Sequence, residues 1–173
     1  IDPREQQMHF GMKLIGSGIA ERMLLMIENY LIKIVSVFAF MTIGTFAFGG
    51  DIDVDMLNKR DDGAKMVYSL DIIDAKAGQN ITWLPTSKGH NVEFIAGPDS
   101  AELPKKSKLG KEVTLSFDVP GVYLYQCTPH KSMGMIGLVV IDGNTNNKDA
   151  IAASKKVKGK SKKKLEKLIS ELN

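Results

Sequence analysis

Cysteine occurs once in this chain of 173 residues, at position 127, with an imidazole and two thioethers close behind it: the run YQCTPHKSMGM (125–135) holds Cys127, His130, Met133 and Met135. A single cysteine cannot close an internal disulfide, so Cys127 is a small buried residue, a reactive thiol or a metal ligand. Its neighbours favour the last. A strand-like VYLYQ leads up to it and turn-forming Thr128 and Pro129 follow, which puts the side chain at the end of a sheet rather than in its middle. Beyond residue 50 there are two histidines, His130 and His90, the latter in PTSKGHNV at the junction of a strand-like run and a turn. Cys127, His90 and His130 form a His2Cys set, and Met135 adds a soft thioether able to reach the same centre.

Each donor alone has an ordinary reading. His90 beside Gly89 is a turn residue, Met133 and Met135 are core filling, and a lone C-x-x-H pair occurs by chance. Jointly these readings require the one cysteine, both histidines and a methionine to be incidental while falling in two loop-like segments. A thiolate, two imidazoles and a long axial methionine are the donor set of a blue copper electron-transfer centre. A multicopper enzyme needs a second copper centre, and no imidazole is left for it, so an enzyme is not expected. A copper carrier is the alternative, but such sites favour clustered thioethers or paired cysteines, and Met56 and Met66 are scattered. Zinc fits worse, because structural zinc prefers more cysteines.

The elements that must position these donors are short strands. VTLSF (113–117) alternates, with Val113, Leu115 and Phe117 on one face; Pro120-Gly121 then turns the chain into VYLYQC, and MIGLVVI follows the ligand run. Further runs at 52–57, 66–72 and 79–84 bring the expectation to about seven strands, hence a sandwich or barrel. Residues 96–110, with Pro98, Pro104 and several lysines, read as a surface loop. With 43% hydrophobic and 25% charged residues the chain supports one modest core plus extensions. The expected organisation is an extension and signal peptide over 1–50, a β domain over 51–142 and a helical extension over 143–173 packed on the same domain.

Charge is divided along the chain. Residues 51–147 hold ten Lys and Arg against thirteen Asp and Glu, whereas 148–173 hold nine Lys against three acids, so the net charge of +3 comes from the tail. There Leu165, Leu168, Ile169 and Leu172 recur on one helix face, with a shorter helix expected at Lys148–Lys156. Packing on the domain with a solvated lysine face is the expectation; a membrane-surface or anionic-partner patch is the rival. Nothing in this pattern calls for nucleic acid.

Near the start, IVSVFAFMTIGTFAFGG (34–50) carries no charge, follows Lys33 and ends in small residues. This is the order of a secretory signal peptide, with cleavage expected near Gly49 or Gly50 and translation starting at Met23 or Met26. An uncleaved anchor is the rival, for which the run is slightly short. Export to the periplasm, with no stable membrane insertion after cleavage, follows from the first reading.

WLPTSKGHNVE (83–93), CTPHKSMGMIG (127–137) and VDMLNKRDDGAKMVY (54–68) resemble the pseudoazurins, small periplasmic blue copper proteins, from about Ile52 to the C-terminus. The resemblance implies a mainly β, cupredoxin-like Greek-key β-sandwich or barrel with a pair of C-terminal helices. It implies one copper ion, cycling between Cu(I) and Cu(II), on His90, Cys127, His130 and Met135, with Met133 left out. It also implies that the Asn91 N–H faces the cysteine sulfur while its side chain ties the two ligand loops. Pro129, lacking an N–H, adds no such bond. His130 becomes the electron exit beneath a largely apolar patch, and its protonation at low pH is expected to slow electron donation. Lys59, Lys88, Lys105, Lys106 and Lys131 are candidates for steering acidic partners. Implied partners are periplasmic redox proteins: a copper nitrite reductase, a nitrous oxide reductase or a c-type cytochrome, met by a monomer. Lys131 and Ser132 depart from the family pattern, where an apolar or aromatic residue and a glycine are more usual.

Overall fold

Two four-stranded sheets face each other, and the apolar alternation of their strands dictates why. The computed structural model describes residues 50–172. The eight strands are β1 (Ile52–Lys59), β2 (Lys65–Tyr68), β3 (Ile72–Ala75), β4 (Ile81–Leu84), β5 (Glu93–Ala96), β6 (Val113–Leu115), β7 (Gly121–Gln126) and β8 (Ile136–Ile141). One sheet runs β2-β1-β4-β6 and the other β3-β8-β7-β5. Pairs β1–β4 and β3–β8 are parallel; β1–β2, β4–β6, β5–β7 and β7–β8 are antiparallel.

Alternate residues of each strand fill the space between the sheets. Val54 and Met56 of β1, Trp83 of β4, Phe94 of β5 and Tyr123 and Tyr125 of β7 all lie in one buried cluster with Phe117. Its centre is aromatic: Trp83 meets Phe94 edge-on at 5.7 Å and Tyr125 at 5.4 Å, and Tyr125 meets Tyr68 at 4.7 Å with the rings tilted by 58°. Such pairs add roughly 0.5–1.5 kcal/mol each beyond area burial. Gly137 stands opposite Tyr125 across the β7–β8 ladder, where a Cβ would come within 2.5 Å of the phenol ring. The ring therefore crosses the strand only because position 137 has no side chain.

Strands β7 and β8 are buried on both faces, which explains their nearly unbroken apolar runs. Their other face, Val122, Leu124, Ile136, Leu138 and Val140, meets two helices, α1 (Lys148–Ala152) and α2 (Lys160–Glu171), through Ile151, Leu165 and Leu168, with Val157 of the linker between them and Leu172 just past α2. The stripe read from the sequence thus lies on the sheet, and the α2 lysines are largely solvated. A salt bridge of 2.6 Å from Lys164 to Asp71 pins the middle of α2, and Asp71 also meets Arg60 at 3.2 Å.

Three details differ from the sequence expectation. The apolar run 66–72 is not one strand: β2 ends at Tyr68 and β3 begins at Ile72 in the opposite sheet. Ser69 makes the break, its N–H donating to Asp55 O (2.9 Å) and its Oγ accepting from the Asp55 N–H (2.8 Å). The short helix stops at Ala152 rather than Lys156, because Val157 must turn inward to join the apolar layer. A strand at 93–96 carries no alternation that marked it beforehand. The apolar segment read as a signal peptide lies, apart from Gly50, outside the described residues, as does the extension before it. No helix among the described residues is long and apolar enough to cross a membrane.

Candidate metal centre

Two loops leave the same end of the sandwich. The first follows β4 and carries His90 into β5; the second follows β7 and returns into β8, spanning Cys127 to Met135. Strand pairing closes the second at its base, where Gln126 pairs with Ile136 and the Cys127 N–H donates to Met135 O at 2.9 Å. Within it a 3-10 turn, Thr128–His130, starts with Pro129 in its first positions and brings His130 back over Cys127, the His130 N–H donating to Cys127 O at 3.1 Å. Proline suits that place, since its fixed φ favours the first turn and no N–H is needed there.

The geometry brings three of the four expected donors face to face. His90 Nδ1 and His130 Nδ1 are 3.1 Å apart, and Cys127 Sγ lies 3.6 Å from the former and 3.4 Å from the latter. A triangle with these sides has a point about 2.0 Å from every corner, close to the roughly 2.0–2.3 Å at which imidazole and thiolate hold a transition metal. The donors therefore fit a metal ion of copper size without rearrangement. Met135 is fully buried and closes the same loop. Met133 is nearly half exposed, at 48%, pointing away from any buried role.

Electrostatics agree with that use. His90 Nε2 lies 2.8 Å from Asn58 Oδ1, an acceptor, so the proton sits on Nε2 and the Nδ1 lone pair faces the centre. Burial, and then the neighbouring His130, lower the His90 pKa and keep its ring neutral. Burial raises the Cys127 thiol pKa, opposed by the N–H groups of Asn91 and His130. A cation in the triangle reverses the thiol's preference, since metal ligation requires the thiolate.

Asn91 joins the loops as expected from the resemblance. Its Oδ1 accepts from the Thr128 N–H at 2.8 Å, and its Nδ2 donates to Thr128 Oγ1 at 3.1 Å and to Ser107 O at 3.3 Å. Three further parts of this support were not read from the sequence. They are Asn58 on β1, Glu93, whose Oε2 accepts from Gln126 Nε2 (2.9 Å) and Thr128 Oγ1 (3.0 Å), and Tyr68, whose hydroxyl donates to Asn91 O at 2.8 Å. Asn58 carried no signal at all, being a polar residue near the end of a strand 32 positions from its partner. Asn91→Ala strands the Thr128 N–H and should cost about 1–3 kcal/mol, read as a lower urea midpoint of the metal-free chain. An unchanged midpoint would mean that the loops hold their places without this tie.

Comparison with known proteins also points to copper. Residues 54–142 match the plastocyanin/azurin family of copper binding proteins. Pseudoazurin of Paracoccus pantotrophus is 36% identical over 137 residues, covering 78% of this chain and 92% of that protein. The chain belongs to the pseudoazurins. Pseudoazurin of Methylorubrum extorquens is 42% identical over 106 residues, 60% of this chain and 70% of that one. The solved pseudoazurin structure from Hyphomicrobium denitrificans superposes with a TM-score of 0.66 at 32% identity, covering 72% of this chain and 99% of its own. As a pseudoazurin the chain is a copper protein of electron transfer with a cupredoxin fold, not an enzyme.

Proposed function

We propose that this chain carries single electrons on one copper ion held by His90, Cys127, His130 and Met135, moving them between redox proteins of the periplasm. The observation that carries the assignment is the triangle of His90 Nδ1, His130 Nδ1 and Cys127 Sγ, with sides of 3.1–3.6 Å. Bound there, copper supplies one-electron chemistry between Cu(II) and Cu(I).

The chain's own residues supply the rest. Asn58 fixes the His90 tautomer, while Asn91, Thr128 and Glu93 hold the two loops in one register. Cys127, His90 and Met135 are all closed off from solvent, which excludes water from the donors. His130 alone is partly exposed and is the route by which an electron enters or leaves. Pro129 before it and Met133 after it are exposed, and so is Leu109, which precedes Gly110, whose N–H donates to His90 O at 2.8 Å. This is an apolar surface against which a partner can exclude water. Lys59, Lys88, Lys105, Lys106 and Lys131 are all exposed and available to steer an acidic partner toward it.

Partners of the right chemistry are an acidic copper nitrite reductase, a nitrous oxide reductase or a c-type cytochrome. The test is stopped-flow mixing of the reduced, copper-loaded chain with each in its oxidised form. A productive partner gives a second-order rate that falls with ionic strength, and Lys131→Glu lowers that rate about tenfold at low salt, with the difference vanishing near 1 M salt. A rate insensitive to both salt and Lys131 would remove the steering role. A pale copper complex passing metal rather than electrons would instead point to a carrier.

A further inference from the structure

Regular pairing of the second ligand loop ends at Gln126 and resumes at Ile136, so Cys127 to Met135 depends on bonds from outside the sheet. Inside the loop, Cys127, His130 and Met133 each donate one backbone N–H, to Met135 O, Cys127 O and His130 O. The middle, Lys131 and Ser132, is held by another element. The Lys160 N–H, first in α2, donates to Ser132 O at 3.0 Å, and Ser161 Oγ–H donates to Lys131 O at 2.5 Å. Ser161 is fully buried, although serine is an ordinary surface residue of helices. Gly159, which precedes the helix, has φ +62°, and a Cβ there would stand 2.7 Å from Ser132 O. Backbone conformation and close approach both require glycine at 159.

The helix that makes these two bonds is itself immobilised. Leu165, Leu168 and Leu172 lie in the apolar layer under β7 and β8, and Lys164 bridges to Asp71. Asp71 meets Arg60, whose guanidinium also donates to Tyr68 O and Ser69 O. The first turn of α2 is thus a fixed bracket gripping two consecutive carbonyls between His130 and Met133.

We propose that Gly159, Lys160 and Ser161 are positioning residues for the copper-ligand loop, so that the C-terminal helix sets the placement of His130 as well as covering the sheet. This rests on the assignment of those residues as copper ligands. Without the bracket the loop keeps its closure at Cys127 and Met135 but gains freedom in its middle, which widens the range of His130 positions.

The experiment compares the full chain with Ser161→Ala and Lys160→Pro, using as the control Ile151→Val, which loosens the apolar layer from α1 without touching α2 or the loop. Proline is tolerated at a first helical position, but here its Cδ takes the place of the hydrogen facing Ser132 O, so the variant removes the donor and also pushes the loop's middle away, which keeps the test open if Ser161→Ala fails to fold. In the metal-free protein, amide exchange at His130 and Met133 should quicken about fivefold or more in both variants. In the copper-loaded protein, the visible and EPR signature and the reduction potential should shift, while Ile151→Val lowers only the melting temperature. Wild-type exchange, spectra and potential in the folded variants overturn the proposal, as does an equal shift in Ile151→Val, which would make the effect one of general stability. Absence of a thiolate band in the unmodified chain would overturn the copper assignment instead, and loop exchange in the metal-free protein would then decide whether the bracket holds the loop.

Discussion

Replacing Cys127 with serine in the full chain, loaded with one equivalent of Cu(II), abolishes the intense visible band that the unmodified chain displays and that bleaches on reduction. The band is thiolate-to-copper charge transfer, and a serine oxygen has neither the softness nor the readily lost proton to replace it. The narrow copper hyperfine splitting in the EPR spectrum disappears with it. Because Cys127 is fully buried and serine is nearly isosteric, the metal-free variant stays folded. An absorption and EPR pair on the two proteins decides the matter. A band that survives in Cys127→Ser, or that the parent lacks, would sink the assignment of this thiol as a ligand.

Trp83→Ala has its large effect on the fold and little on the centre. The indole is completely buried between the sheets, with Val54 and Val113 as its ladder neighbours on either side and Phe94 and Tyr125 in edge-type contact with it. No other side chain can swing in from those ladders to fill the space, so truncation leaves a cavity and costs about 3–5 kcal/mol. That is a large part of the roughly 5–15 kcal/mol by which a domain is stable. Urea unfolding of the metal-free chain should show the unfolding free energy falling by that amount and the midpoint falling with it, while the copper-loaded variant keeps the parent's visible spectrum because Trp83 makes no bond to the ligand loops among the described residues. A loss below about 1 kcal/mol would mean that the sheets close over the gap and that the aromatic cluster does not organise the core.

Much of this centre was legible from residue types alone. One cysteine, two histidines beyond residue 50 and a methionine leave few ways to assign chemistry, and the turn after Cys127 already placed the thiol at a sheet end. The burial of β7 and β8 on both faces was visible in their unbroken apolar runs, and the α2 stripe foretold which side of the helix would meet them. The break at Ser69–Asp71 was not visible, because Tyr68, Leu70 and Ile72 continue an alternation that a single strand would also show. Only the side-chain and backbone bonds of Ser69 to Asp55 divert the chain into the second sheet.

What the sequence by itself determined is the donor set, the strand-rich class and the amphipathic helix, since each follows from residue identity or from a period of a few positions. Tertiary structure alone decided how those parts hold one another. Asn58 reaches His90 across 32 positions, Glu93 reaches Thr128 across 35, and Ser161 reaches Lys131 across 30. Hydrogen bonds of this kind depend on angstrom-scale approach between segments whose separation along the chain has no period. Serine, asparagine and glutamate at such positions look in sequence like any other polar surface residue, and packing of the sandwich and its helix gives them their partners.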